Sequence, residues 1–198
     1  VFNGFSGLRN GRQKGAKSYM SSPNITGRID FYGLPNLKFG LSGYFGDSQS
    51  KTPNIDSTIV GVAMFGGDIR YVLTNIEMRG QYTMVQLSNT KAYNSMTGSD
   101  LGNLMVGYYF ELGYNILSPI SKKSSNKLVP FVRYEHYNTH ADTKEGGAGN
   151  LLIPNPEYNR TEITIGAGYK VADGAVFKAD YQMIKNESQD DYSGIINL

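Results

Sequence analysis

Residues 25–45 read Ile25-Thr26-Gly27-Arg28-Ile29-Asp30-Phe31-Tyr32-Gly33-Leu34-Pro35-Asn36-Leu37-Lys38-Phe39-Gly40-Leu41-Ser42-Gly43-Tyr44-Phe45. On either side of Gly33-Leu34-Pro35-Asn36, apolar residues or glycine occupy every second position: Ile25, Gly27, Ile29 and Phe31, then Leu37, Phe39, Leu41, Gly43 and Phe45. Between them stand Thr26, Arg28, Asp30 and Tyr32, then Lys38, Gly40, Ser42 and Tyr44. A period of two held over eight or nine residues describes a strand with one apolar and one polar face. The Gly-Leu-Pro-Asn interruption is turn chemistry. This stretch is a β-hairpin.

The same rule, carried outward, predicts strands at about Thr58–Val72, Ile76–Leu87, Leu104–Leu117, Lys127–Tyr137, Arg160–Val171 and Ala175–Lys185, with a truncated ninth at Gly194–Leu198. In the third strand the apolar set changes phase at Gly66-Gly67, which predicts a β-bulge there. Composition agrees with β structure. The 198 residues include 24 Gly, 15 Tyr and 9 Phe, and charged residues make up 18%, against roughly 25% in ordinary soluble domains. Cysteine is absent, so disulfide frameworks, thiolate metal sites and cysteine nucleophiles are excluded. Nineteen Lys and Arg against 17 Asp and Glu leave a net charge of +2, which argues against a polyanion-coating protein driven by bulk charge. No run nears the ~18 apolar residues of a membrane helix, and Val1–Phe5 lacks the pattern of a signal peptide. Mean hydropathy is −0.37, but averaging erases a period of two.

The connections sort by parity. They run short, long, short, long: Gly33–Asn36, Asp47–Ser57, Leu73–Asn75, Ser88–Asn103, Ser118–Asn126, Asn138–Asn159, Ala172–Gly174 and Asn186–Ser193, with Ser118–Asn126 the one longer member of the short set. Strands of 9–11 residues or more joined alternately by short turns and long loops describe an antiparallel transmembrane β-barrel. A soluble β-sandwich or propeller fragment, the competing fold, gives no such sorting. With the apolar face toward lipid, Phe31, Tyr71, Tyr114, Tyr169 and Phe177 lie beside short turns, and Phe45 and Tyr134 are expected near the long-loop ends, as aromatic girdles. The opposite face collects Arg28, Asp30, Lys38, Arg70, Glu77, Arg79, Glu111, Arg133, Glu135, Arg160, Glu162, Lys170, Lys178 and Asp180. A hydrated lumen tolerates that density of charge and a dry core does not, so these fourteen are the expected pore-lining residues. Eight are basic and six acidic.

Residues 1–23 read as an outer loop and 24–198 as antiparallel strands of a single domain. Eight strands and part of a ninth fit a fragment, the C-terminal part of a larger barrel whose open edge must be paired in lipid. A complete eight-stranded barrel is the alternative.

The unit from Gly33 to Gly46, the stretch Lys127-Leu128-Val129-Pro130-Phe131-Val132-Arg133-Tyr134-Glu135, and the hairpin from Asn159 to Asn186 resemble strand–turn–strand units of Gram-negative porins, and most nearly the phosphate- and polyphosphate-selective porin superfamily. The resemblance covers most of the chain from Ile25 onward. It implies an outer-membrane barrel of about sixteen to eighteen strands, often trimeric, with a lumenal ladder of Arg and Lys guiding anions. It also implies lipid and lipopolysaccharide as surroundings and small solutes as cargo. The chain departs from that family in its mixed lumenal charges and in lacking a C-terminal aromatic residue.

Other motifs carry less. Arg9, Arg12, Lys14 and Lys17 form a basic cluster, but only three residues separate Gly11 from Gly15 and Ala16 stands before Lys17, so it is not a phosphate-binding loop. It reads as a solvated loop. His136, His140, Asp142 and Glu145 fall in or beside a Gly-rich loop that does not fix tetrahedral geometry, and no metal or other cofactor is expected. Ser95, His140 and Ser193, all expected in loops, give no nucleophile–base–acid spacing, so the chain reads as a non-enzyme. Acids interleaved with bases exclude a nucleic-acid interface. The expected function is passive diffusion of small hydrophilic or anionic solutes, with a structural or docking barrel acting through its loops as the alternative.

Overall fold

A computed structural model describes residues 2–13, 15, 18–50, 58–118, 126–143, 152–172 and 174–198. Nine strands form one antiparallel sheet: β1 (Ile25–Phe31), β2 (Leu37–Asp47), β3 (Gly61–Leu73), β4 (Ile76–Ser88), β5 (Leu104–Tyr114), β6 (Lys127–Asp142), β7 (Asn159–Ala172), β8 (Ala175–Asn186) and β9 (Ser193–Asn197). Spatial order equals chain order, so the sheet is an up-and-down meander with β1 and β9 at its edges. There is one sheet, not the two packed layers of a sandwich.

The meander gives the parity of the loops its physical meaning. The three shortest connections, 32–36, 74–75 and 173–174, lie at one end together with the longer 115–126, and 48–60, 89–103, 143–158 and the shorter 187–192 lie at the other. At the short end, Leu73 pairs with Ile76, so Thr74 and Asn75 make the whole turn and Thr74 takes φ 50°. Asn36 (φ 64°) and Gly174 (φ 89°) occupy the left-handed region in the neighbouring turns, as expected of Asn and Gly.

Register fixes the faces, because directly paired residues point the same way. One row runs Ile29, Leu41, Gly67, Tyr82, Tyr108, His136 and its partners, the other Arg28, Ser42, Gly66, Thr83, Gly107 and Tyr137. Phe31, Tyr71, Tyr114, Tyr169 and Phe177 all share the apolar face. Phe45 lies near the long-loop end of β2, whereas Tyr134 lies in the middle of β6, not at a girdle.

Three local expectations change. The register of β3 runs without interruption through Gly66 and Gly67 on both sides, so no bulge is there; irregularities fall between Leu104 and Val106 and between Lys170 and Ala172. The apparent change of phase came from Val62 and Met64. They are apolar residues on the polar face, and Val62 is buried with Met64 packed beside it. Strand β6 runs to Asp142, which draws His140 and Asp142 out of the expected loop. Finally, the β4–β5 connection contains a helix, α1 (Thr90–Thr97), closed by Gly98 in the left-handed region with its N–H donating to Asn94 O at 2.9 Å, a glycine helix end.

The dry core is small and lies at the long-loop end of the polar face. Val60, Val62, Leu87, Tyr93, Leu101 and Met105 are buried there, with Phe2, Leu8, Tyr44, Met64 and Val85 against them. The apolar face carries no layer of its own: Ile29 is 77% and Phe177 71% exposed.

Candidate functional site

All fourteen expected charged residues stand on the polar face, in register with one another. Asp68 and Lys127 share it and were not singled out; alternation alone places both. One hollow of about 520 Å³ is lined by residues from β3 through β8, among them Arg70, Arg79, Lys127, Arg133, Lys170 and Lys178, with Glu77 and Glu111. A single hollow touching six consecutive strands requires the sheet to curve, with the polar face concave. Its lining holds six basic and two acidic side chains, so 6 − 2 = +4. The charges that look balanced in sequence are sorted in space.

The acids inside this hollow serve the arginines. Glu111 is the direct cross-strand partner of both Arg79 and Arg133. It accepts from Arg133 Nη2 at 2.8 Å and lies 3.7 Å from Arg79 Nη1. Glu77 bridges Arg79 at 3.2 Å and Arg70 at 3.7 Å. The Arg133 guanidinium also stacks over Tyr109, 4.6 Å from its centre, so its plane is held from two sides. Lys178 reaches Asp180 at 3.3 Å and lies over the Phe131 ring.

The basic residues are arranged against simple sheet stability. Lys38 pairs directly with Arg70, and Arg70 with Arg79, which sets three cations in a row across β2, β3 and β4. Lys127 pairs directly with Lys170. Like charges directly opposed are destabilising, where opposite-charge pairs gain roughly 0.2–1 kcal/mol.

Toward the long-loop end the polar face changes character. Arg28 binds Asp30 at 2.8 Å and Asp68 at 2.7 Å. Glu162 accepts from Tyr137 Oη at 2.6 Å and from Gln182 Nε2, and faces Glu135 across the β6–β7 pair. Arg160 donates to Phe5 O at 3.1 Å and stacks over the Phe5 ring. Arg160 therefore belongs to a structural contact with the N-terminal segment rather than to the basic hollow.

That segment, residues 2–8, lies over the concave face. Tyr93 of α1 accepts from Phe2 N and donates to Phe2 O, at 2.7 and 3.2 Å. Asp100 accepts from Gly4 N at 2.8 Å and from Tyr158 Oη at 2.7 Å. Thr139 donates to Gly4 O. Burial pushes the Asp100 carboxyl up, but these donors outweigh it and hold its pKa below the ordinary value. His140 is buried, 1% exposed. Its Nε2 faces Asp100 O at 2.5 Å and its Nδ1 accepts from Asn155 N at 3.2 Å, so the ring is neutral with the proton on Nε2.

The remaining sequence motifs are dispersed. His136 lies on the apolar face beside Tyr108 and Thr161, away from His140. Ser95 is on α1 and bonded to Lys91 O, and Ser193 opens β9. Neither Ser95 nor Ser193 is therefore in a loop. Of the basic cluster, Arg9 begins a short 3-10 turn and Arg12 lines a second hollow of about 400 Å³, while Lys14, Lys17 and Glu145 lie outside the described residues. Sequence reasoning missed the segment 2–8, α1 and Asp100. The available signal was the apolar intrusion of Val62, Met64, Val85, Leu87 and Met105 into the polar rows.

No protein-family model matches the chain. It is similar to an uncharacterized protein from Aquifex aeolicus (strain VF5), 27% identical over 191 residues, in an alignment covering 91% of this chain and 41% of that protein. The chain thus spans about two fifths of the length of the curated relative it matches.

Proposed function

We propose that the chain is part of an outer-membrane β-barrel that conducts small hydrophilic solutes passively and favours anions. The observation that carries this reading is the pairing of like charges, Arg70–Arg79 and Lys127–Lys170, around one concave hollow, with Lys38 next to Arg70 in the same row. Like charges set directly opposite one another do not by themselves favour folding. Rows of fixed cations lining a hydrated path raise the local concentration of anions and set ion preference. The two glutamates among them hold guanidinium planes in place and leave the lining with a net positive charge.

The membrane placement is supported by the opposite face. In β5 its row is Leu104, Val106, Tyr108, Phe110, Leu112 and Tyr114. Ten steps at about 3.4 Å make ~34 Å along the strand. Tilted by about 40°, that is ~26 Å along the normal, against the ~25 Å apolar band of such barrels. The row turns polar at His136, Asn138, Thr161 and Lys185 toward the long-loop end. Edge backbone groups in lipid cost several kcal/mol each, so β1 and β9 need further partners; the matched relative extends well beyond the aligned region. The residues spread across the concave face at the long-loop end favour a second reading, a plugged barrel that docks partners through its loops.

Planar-bilayer recording of the full-length protein separates the two. The conducting reading expects channel openings and a reversal potential displaced toward the anion equilibrium, and replacement of Lys127 and Lys170 by Glu moves it toward cations. A silent, correctly folded protein supports the docking barrel instead.

A further inference from the structure

Residues 2–8 double back as a tight hairpin, Asn3 N donating to Gly7 O at 3.4 Å, laid over the concave face. Phe2 and Leu8 share the 400 Å³ hollow with Tyr44, Val62 and Met64 of β2 and β3. Gly7 lies against Met105 of β5, Gly4 O is held by Thr139 of β6, and Phe5 O by Arg160 of β7. The ends of the hairpin face β2 and β3 while its tip, Gly4 and Phe5, reaches β6 and β7, so it lies across the concave face rather than on the rim.

Its hydrogen bonds to the wall are made through backbone groups, while Phe2, Phe5 and Leu8 add ring and apolar contacts. Tyr93, Asp100, Thr139 and Arg160 take the N–H or C=O groups of residues 2, 4 and 5, and Ser99 adds a bond to Phe2 O at 2.8 Å. Gly4 fits because it has no side chain; a Cβ there would overlap His140 Nε2 and Tyr158. Asp100 is itself fixed, since Tyr158 takes its second oxygen and its backbone carbonyl faces His140. Helix α1 is tied to the same loop by paired bonds between Asn94 and Leu101, at 2.8 and 2.9 Å. Bonds of this number across large sequence separations hold a chain segment at one position.

We propose that residues 2–8, clamped by α1 and Asp100, are a sieve that sets the largest solute able to reach the basic hollow. The proposal rests on the conducting reading above and adds a size-determining element at the opposite end from the charges. A hairpin held by α1 and Asp100 and, at its tip, by β6 and β7 narrows the path, and the space left on its β2–β3 side is the hollow lined by Phe2, Leu8, Arg12, Tyr44 and Met64. Size is then decided at the long-loop end and charge at the short-turn end.

The test uses the full-length protein in planar bilayers, with polyethylene glycols of graded size as pore-entering probes. Three variants are compared with the parent: deletion of residues 2–8, Gly4→Val, and Asp100→Asn. The chain has no cysteine, so Phe5→Cys, placed in each background, reports through a bulky water-soluble thiol reagent whether the segment has left its seat. Wherever Phe5→Cys reacts faster, conductance rises and larger polymers enter, while ion preference stays as in the parent. In the deletion, which lacks residue 5, the same rise is expected directly. If the deletion fails to fold, Asp100→Asn makes the comparison with a near-isosteric side chain. An unchanged polymer cut-off in a folded variant whose residue 5 has become reactive overturns the sieve. A parent protein that carries no current overturns the conducting reading itself.

Discussion

At the short-turn end of the polar face, Arg70, Arg79, Lys127 and Lys170 surround open space. At the long-loop end of the same face, Val62, Leu87 and Met105 are sealed beneath residues 2–8 and α1. Both regions are built on the same strands with the same alternation, yet one keeps unfavourable charge pairs wet and the other is the only place among the described residues with a fully apolar buried cluster. The contrast teaches that apolar packing and clustered basic charge are divided along the strand axis. Apolar residues on the polar face tie down the cap at one end, and the basic side chains gather at the other.

The largest effect expected from this division is in the sealed end. Leu87 is 2% exposed, and Leu87→Ala should cost about 2–5 kcal/mol in a urea titration of refolded protein. Replacing Lys127 by Ala at the open end should change stability by less than about 0.5 kcal/mol. Equal losses would end the comparison.

The face assignment is tested by adjacent residues in β7. Ile163 pairs with Tyr134 and Met183 on the apolar face, and Thr164 with Arg133 and Gln182 on the polar one. In lipid, Ile163→Arg should lose about 2–4 kcal/mol near the midplane, while Thr164→Arg folds normally and strengthens anion preference. A reversed order would invert the register. Protein that stays folded and dispersed without detergent would remove the barrel reading altogether.

Smaller still is the effect of acid on the cap. The pKa of Asp100 is lowered on folding, so its contribution is complete above the unfolded value of about 3.9. It fades as pH falls through the lower folded value. A protonated His140 ring would place a second N–H against the Asn155 N–H. Of the neighbouring charges, Glu157 and Arg160 flank Tyr158. Exchange of the Gly4 amide, corrected for its intrinsic pH dependence, should accelerate below about pH 4. The acceleration should be flattened in Asp100→Asn, and parallel profiles would show that Asp100 is not the clamp.

The smallest effect is expected at Arg28, where exposed bonds to Asp30 and Asp68 hold it. Arg28→Ala should leave the urea midpoint, the polymer cut-off and the ion preference close to those of the parent, because an exposed ion pair contributes little.

Much of the fold was legible because alternation is a local property. Each of the nine strands, the faces of all fourteen charged residues and the parity of the loops follow from a period of two, which needs no knowledge of what a strand packs against. The basic hollow was not legible. Sequence counts eight basic and six acidic residues on that face, and only register and curvature bring Lys127 beside Lys170 and leave Glu135 and Glu162 at another level. The cap was hidden for the opposite reason. Val62 and Met64 carried its signal, but without a partner in view an apolar residue on a polar row reads as a slipped phase, and a bulge was expected at Gly66-Gly67. What sequence determined by itself is which side of the sheet each residue faces, because the pleat dictates it. What tertiary structure alone decided is which charges share a space and which segment, distant in the chain, covers the apolar remainder. Those depend on contacts between strands and on a segment some ninety residues from α1.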